Sequence, residues 1–258
     1  MLIGYDMRMR DGRAHWHPDH RGNNPSASLL NNWLRAYEEI ATKVAGCVRV
    51  VGDSALPYPR VQYGDMIRPC DGVVLVYRTG GWCQPQHVAR LRHAVERQGY
   101  DCTVLTDDTS VARAQQLTEG HPGWWAKMEV MRLPGTHLYM DLDTMIYGDL
   151  APLMALDSPM MLGDFYRPLL ESGLMALTQH AKTLVWQRWV TDPARWMREF
   201  RGDGRFIADT IGHLCGDIRV EVSGIHSYRI HGLRADTRVL CFHGRPRPHD
   251  TPLWSERV

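Results

Sequence analysis

The sequence predicts an α/β fold around a sheet whose first strands run parallel, and three adjacent segments predict it. Gly72-Val73-Val74-Leu75-Val76-Tyr77 is an unbroken apolar run, the pattern of a strand covered on both faces. Pro85 to Gln98 places Val88, Leu91 and Val95 at helical spacing and stops at Gly99. Asp101 to Thr106 is a second strand, and a strand, helix and strand within about 35 residues imply a right-handed crossover.

Composition supports a packed core. Of 258 residues, 44% are hydrophobic and 23% charged, ordinary values that argue against general disorder and for one domain, or one domain with an extension. Thirty Lys and Arg balance 29 Asp and Glu, so the net charge of +1 removes the simplest argument for a polyanion-binding protein. No stretch approaches the roughly 18 apolar residues of a membrane span. The first twenty residues have no apolar stretch and no small-residue cleavage site, so a cytoplasmic location is expected. The six cysteines are scattered without a Cys-x-x-Cys pair and read as free thiols.

Residues 1–70 read as an N-terminal extension packing on a core of 71–258 and contributing to the acceptor side of its site. A polar loop, Arg8 to Asn24, precedes a helix over about Ser28 to Val44, and Cys47 to Asp53 is a short strand followed by a Pro-rich connection from Ala55 to Arg60. Beyond the first crossover come a helix, Trp124 to Leu133, and a strand, Thr136 to Met140, running into Asp141-Leu142-Asp143. Further strands follow at Met160 to Asp164, Gly173 to Leu177 and Val239 to Phe242. Helices fall around His180 to Val190 and Arg205 to Cys215. Pro246, Pro248 and Pro252 exclude a long helix in the tail. Ligands of such sheets sit beyond the carboxyl ends of the strands, here Tyr77-Arg78-Thr79 and Thr106-Asp107-Asp108.

Two carboxylates one residue apart at the end of an apolar strand are badly placed for packing, because buried charge is costly without a partner. A divalent cation is the natural partner. By itself Asp-x-Asp is a frequent chance pattern. Its surroundings make it specific: Gly123-Trp124-Trp125-Ala126-Lys127 precedes it, Thr144 to Leu150 follows it, and Ser172-Gly173-Leu174 and Cys241-Phe242-His243-Gly244-Arg245-Pro246-Arg247-Pro248 come later. Taken in this order the segments resemble the GT-A glycosyltransferases related to glycogenin and the lipopolysaccharide galactosyltransferases, with their Asp-x-Asp and closing His-x-Gly-x-x-Lys-Pro elements. The resemblance covers roughly 71–250.

It implies a Rossmann-like GT-A domain with a mixed central sheet, and a hexosyltransferase that moves a hexose from a nucleotide diphosphate sugar, a UDP-sugar by family habit, to a hydroxyl with retention. Asp141, Asp143 and His243 would bind Mn2+ or Mg2+. Lys127, Arg245 and Arg247 would add charge at the diphosphate, and Gly244 would let the backbone approach a phosphate. Tyr77, Arg78, Thr79 and Asp107 would line base and ribose, while Asp164, Ser172 and Gly173 would face the sugar. The chain departs from the family in carrying Arg for Lys in the closing element and Gly204 where Gly-Asp-Gln is usual. The acid near the sugar is therefore either Asp203 or Asp209.

His15-Trp16-His17-Pro18-Asp19-His20 has the letters of a zinc hydrolase motif, but only fourteen residues precede it, without a strand-rich domain. It reads better as a polar or acceptor-side loop. The acceptor, whether glycan, protein or a hydroxylated DNA base, is left open, as is an inactive protein that only binds sugar nucleotides. A basic cluster from Arg8 to Arg21 is the sole sequence support for the DNA acceptor. Trp124-Trp125 and the Trp186, Trp189 and Trp196 series could form sugar-stacking surfaces, but aromatics at helical spacing read as core.

Overall fold

The computed structural model describes residues 70–255, with Asn32, Arg35, Ala36 and Glu38 and the backbone of Val50–Val51 and Arg60–Val61. The chain divides into two compact units, Met1–Ile67 and Arg68–Val258. In the first, Asn32, Arg35, Ala36 and Glu38 are helical, and β1 (Val50–Val51) pairs in parallel with β2 (Arg60–Val61). The His15 to His20 run and the polar loop around it lie outside the described residues.

The second unit is built on a seven-stranded mixed sheet. Its strands are β3 (Gly72–Tyr77), β4 (Cys102–Thr106), β5 (Gln115–Gln116), β6 (His137–Met140), β8 (Met160–Gly163), β9 (Leu170–Leu177) and β10 (Gly216–Asp217), in the order β10-β8-β9-β6-β3-β4-β5. Strands β3 to β6 are parallel, whereas β9 is antiparallel to both β6 and β8. A second sheet joins β7 (Thr144–Ile146), β11 (Ile225–Ser227) and β12 (Val239–Cys241).

Both faces of the large sheet are covered, which explains the continuous apolar run of β3. Val73, Leu75 and Tyr77 join one core with Val88, Leu91 and Val95 of α1 (Pro85–Glu96), and Val74 joins a second core with Met128, Trp189 and Phe206. Trp189 lies on α3 (Gln179–Trp189) and Phe206 on α5 (Asp203–Ile211); between them runs α4 (Pro193–Glu199), and α2 is the short Ala151–Met154. Full burial of each such side chain contributes about 1.5–3 kcal/mol.

The helix expected over Trp124 to Leu133 is instead a 3-10 helix, Gly123–Arg132. With three residues per turn, side chains three apart eclipse. Trp125, Met128 and Met131 thus form one core stripe, and Trp124 and Lys127 share a second face. The helix expected from Arg205 begins at Asp203 and ends at Ile211, with a short 3-10 turn, Gly212–Leu214, after it. The proline-rich tail forms two single turns, Pro248–Asp250 and Pro252–Trp254.

Candidate active site

The strand order reverses at β3, whose neighbours are β4 on one side and β6 on the other. Such a switch point opens a crevice at the carboxyl ends of the strands. A cleft of about 840 Å3 lies there. Pairing of β8 with β9 jumps from Met161↔Met175 to Leu162↔Glu171, so Ser172, Gly173 and Leu174 have no counterpart on β8, while Leu174 still pairs with Met140 of β6, and Ser172 and Gly173 line the cleft.

Asp141 is fixed on every side. Its backbone N–H donates to the Gly173 carbonyl at 2.9 Å, and Thr144 Oγ1 donates to the Asp141 carbonyl at 2.7 Å. Tyr139 OH donates to Asp141 Oδ1 at 2.5 Å, and Lys127 Nζ lies 3.1 Å from the same oxygen. Lys127 is buried and also donates to Asp203 Oδ2 at 2.7 Å and Ser172 Oγ at 2.9 Å; Ser172 Oγ donates onward to Asp203 Oδ2 at 2.7 Å. Burial works to lower the ammonium pKa, but the carboxylates of Asp141 and Asp203 reverse this and raise it well above the ordinary value. Where α5 approaches β9, a Cβ on Gly204 would stand 3.0 Å from Ser172 Oγ and 3.2 Å from Glu171 Oε2, a tight fit.

Asp143 meets Arg247 across 104 residues of sequence, Nη1 to Oδ2 at 2.8 Å. Burial and the neighbouring Asp141 charge push the Asp143 carboxyl upward despite Arg247 and Lys127. The Arg247 guanidinium also lies 4.3 Å from the Trp82 ring centroid. His243 lines the same cleft, with its ring 5.0 Å from Phe165. Its Nε2 is buried without a hydrogen-bond partner among the described residues, and burial lowers its pKa, so the imidazole is neutral near pH 7. Two carboxylates that disfavour each other and an orphaned neutral imidazole are a donor set that fits a divalent cation. Among the described residues, no three His, Cys, Asp or Glu side chains are grouped closely enough to hold a metal ion; Asp141 pairs with Lys127 and Asp143 with Arg247.

Other expected site residues divide by position. Arg78, Thr79, Asp164 and Asp203 line the cleft. Asp107 sits behind Thr79, which donates to it from its N–H (2.8 Å) and Oγ1 (2.7 Å), while Arg78 Nε lies 3.5 Å away. Burial works to raise the Asp107 carboxyl, and those hydrogen bonds and that charge hold it below its usual range. Tyr77 is buried in the core beneath. Gly244, at φ 75° with open space around it, and Arg245 are exposed beside the cleft without lining it. Asp209 pairs with Arg188 at 2.7 Å on the outer side of α5 and does not line the cleft.

Sequence reasoning passed over Trp82, Arg201, and the Glu171–Arg205 ion pair (2.8 Å), all at the cleft. A charged residue within an otherwise apolar strand was the available signal for Glu171. Trp125 and Trp189 stack in the core with centroids 5.2 Å apart and Trp196 is buried with them, as expected, whereas Trp186 is half-buried and Trp124, against that expectation, is exposed at the cleft.

No protein-family model and no curated protein matches the sequence. Solved structures do match. The glycosyltransferase GlyE of Streptococcus pneumoniae TIGR4 superposes with a TM-score of 0.50 at 11% identity, over 69% of this chain and 56% of that one, so this chain spans little more than half of GlyE. The galactosyltransferase LgtC, crystallised with donor and acceptor sugar analogues, gives a TM-score of 0.48 at 8% identity over 72% of this chain and 91% of that one. The fold is α/β, of the GT-A glycosyltransferase type, with a mixed central sheet. Among the described residues, no helix is long and apolar enough to cross a membrane.

Proposed function

We propose that the chain is a metal-dependent glycosyltransferase that moves a hexose from a nucleotide diphosphate sugar, a UDP-sugar by the resemblance of its motifs, to an acceptor hydroxyl with retention. The observation that carries this reading is the convergence of Lys127, Asp141, Ser172 and Asp203 beside the Asp143–Arg247 pair at the strand switch point. Asp141, Asp143 and His243 are the residues that would hold Mn2+ or Mg2+. When bound, the cation neutralises the diphosphate and makes it a better leaving group.

The chain's own residues supply the rest. Arg247 and Lys127 set positive charge where the departing diphosphate gathers negative charge, in a cleft whose walls are already organised. Among the described residues Lys127 and Ser172 both donate to Asp203 Oδ2, so Oδ1 is left to orient a sugar hydroxyl. Ser172 and Gly173, bulged toward Asp141, and Asp164 approach the same sugar. Arg78, Thr79 and Asp107 shape the ribose and base end. Gly244 and Arg245 stand ready at the rim for phosphate, Tyr77 supports the floor from below, and Asp209 has no role in this scheme. No side chain is assigned as nucleophile.

The test is a panel of sugar nucleotides incubated with Mn2+ or with EDTA, following nucleotide release and the melting temperature. One donor turned over in Mn2+ and not in EDTA is the expected result. Binding without release in any condition would instead identify an inactive sugar-nucleotide-binding protein, and a panel in which nothing is released and nothing stabilises the chain would overturn the reading.

A further inference from the structure

Arg247 reaches Asp143 from a tail with little backbone anchorage. Among the described residues, nothing beyond β12 joins a sheet, and Pro248–Asp250 and Pro252–Trp254 are single turns closed on themselves. The Asp250 N–H donates to the Arg247 carbonyl at 3.0 Å, and the Arg247 N–H to Asp250 Oδ2 at 2.8 Å. A lone turn is too short to hold its own conformation or place. Side chains must therefore moor it, and they come from α1 and the segment that leads into it.

His87, the third residue of α1, is buried. Its Nδ1 accepts the Gln84 N–H at 3.0 Å, so Nε2 carries the proton and donates to His249 Nδ1 at 2.9 Å. Burial lowers the His87 pKa and keeps that ring neutral near pH 7. His249 Nε2 lies 3.5 Å from Asp250 Oδ1, within the turn. Trp82 packs on both imidazoles, edge-on to His87 at 5.3 Å and stacked with His249 at 5.7 Å. The same indole carries the Arg247 guanidinium, 4.3 Å from the ring centroid. Trp82 lines the cleft and neither imidazole does. A directed hydrogen bond outside the cleft thus fixes the ring and the turn that together aim a cation inside it.

Resting on the transferase reading above, we propose that Trp82, His87 and His249 are positioning residues for Arg247: the imidazole pair latches the tail turn to α1, and the indole aims the guanidinium at the diphosphate. With the latch closed, Arg247 is in place before a donor arrives. With it broken, the turn leaves its seat in most molecules and a donor must restore it. Apparent affinity then falls with the seated fraction, while the rate at saturation is kept.

The test has two arms, and the first needs no donor. Hydrogen exchange is followed by mass spectrometry in the full chain, over peptides covering 243–255, with β3 as the control for folding. Exchange in the tail should be at least tenfold faster in His249→Ala, whose side chain is exposed, with β3 unchanged. His249→Asn, which places Oδ1 where Nδ1 accepts, should return it to within threefold of the parent. In the second arm, the sugar nucleotide turned over in the panel should show a KM at least tenfold higher in His249→Ala and in Trp82→Ala. The kcat of His249→Ala should stay within threefold, and Trp82→Phe should recover most of the KM. Arg247→Gln, which removes the cation itself, should instead lower kcat. Tail exchange indifferent to His249→Ala, a KM unmoved while exchange rises, or a kcat that falls with KM unchanged would each overturn the proposal. A panel in which nothing is released sinks the transferase reading, and the exchange arm still decides the latch.

Discussion

A buried lysine packs against each end of strand β6, Lys127 from the 3-10 helix and Lys182 from α3, and the two ends treat it in opposite ways. At the carboxyl end Lys127 faces the carboxylates of Asp141 and Asp203, which raise its pKa and keep it charged. At the amino end, four residues away and so about 13 Å along the strand, Lys182 donates to the Leu133 carbonyl at 2.6 Å and meets His137 Nδ1 at 2.9 Å. Burial lowers Lys182 to about 8, and burial with the Lys182 charge lowers His137 to about 4. At one end facing carboxylates more than offset the burial of the lysine, whereas at the other the Asp71 charge offsets it only in part. A fold needs its buried polar groups satisfied, and neutral partners do that more cheaply than ions. Paired and crowded ions concentrated at one end are therefore the mark of a site.

The contrast breaks most sharply at Lys127. Lys127→Met leaves Asp203 buried without its cation, with an expected loss of roughly 3–5 kcal/mol in chemical denaturation and no measurable nucleotide release. Next comes Asp143→Asn. Release should fall by roughly 10²–10³-fold, the scale of losing one preorganised electrostatic group, while the melting temperature holds or rises, because the folded chain works against that carboxyl's charge. A melting temperature that collapses would make Asp143 a structural residue. Smaller is Lys182→Met at the quiet end, which strands the Leu133 carbonyl and costs about 1–3 kcal/mol with turnover within twofold of the parent.

The smallest effect sharpens the same comparison through pH. The folded pKa of Lys182 lies below its unfolded value, so between about 8 and 10.5 the unfolded chain holds more protons there and the folded state gains stability as pH rises. Below 8 both states are protonated and the full burial penalty remains. Denaturation of the parent and of Lys182→Met across that window should show the gain in the parent only. Equal slopes would mean that Lys182 keeps its charge.

Much of this was legible in the sequence for physical reasons. An unbroken run such as Val73 to Tyr77 can only be covered on both sides, and carboxylates such as Asp141 and Asp143 at a strand end ask for a partner. The undetermined parts depended on geometry that spacing does not carry. Asp203 and Asp209 are equivalent as letters; six residues along a helix turn them about 240° apart at 3.6 residues per turn, so once α5 starts at Asp203 one faces the cleft and the other Arg188. The Ser172 bulge arises from β8 and β9 pairing out of step. The 3-10 form of Gly123–Arg132 follows from packing that keeps Trp125, Met128 and Met131 in one column. The Arg8 to Arg21 cluster, the sequence support for a DNA acceptor, lies outside the described residues.

The tail is moored by contacts of its own: His87 Nε2 bonds His249 Nδ1 at 2.9 Å, and Arg90 lies over Trp254 at 4.5 Å. Synthesis runs from the amino end, so Asp143 emerges 104 residues before the arginine that steadies it. A nascent chain can lay down β3, α1, β4 and β6 from local contacts, yet it holds an unfinished cleft until the last turns arrive. Ribosome-bound chains halted before His243, and so without His243 and Arg247, would thus be folded at their centre and blind to their ligand.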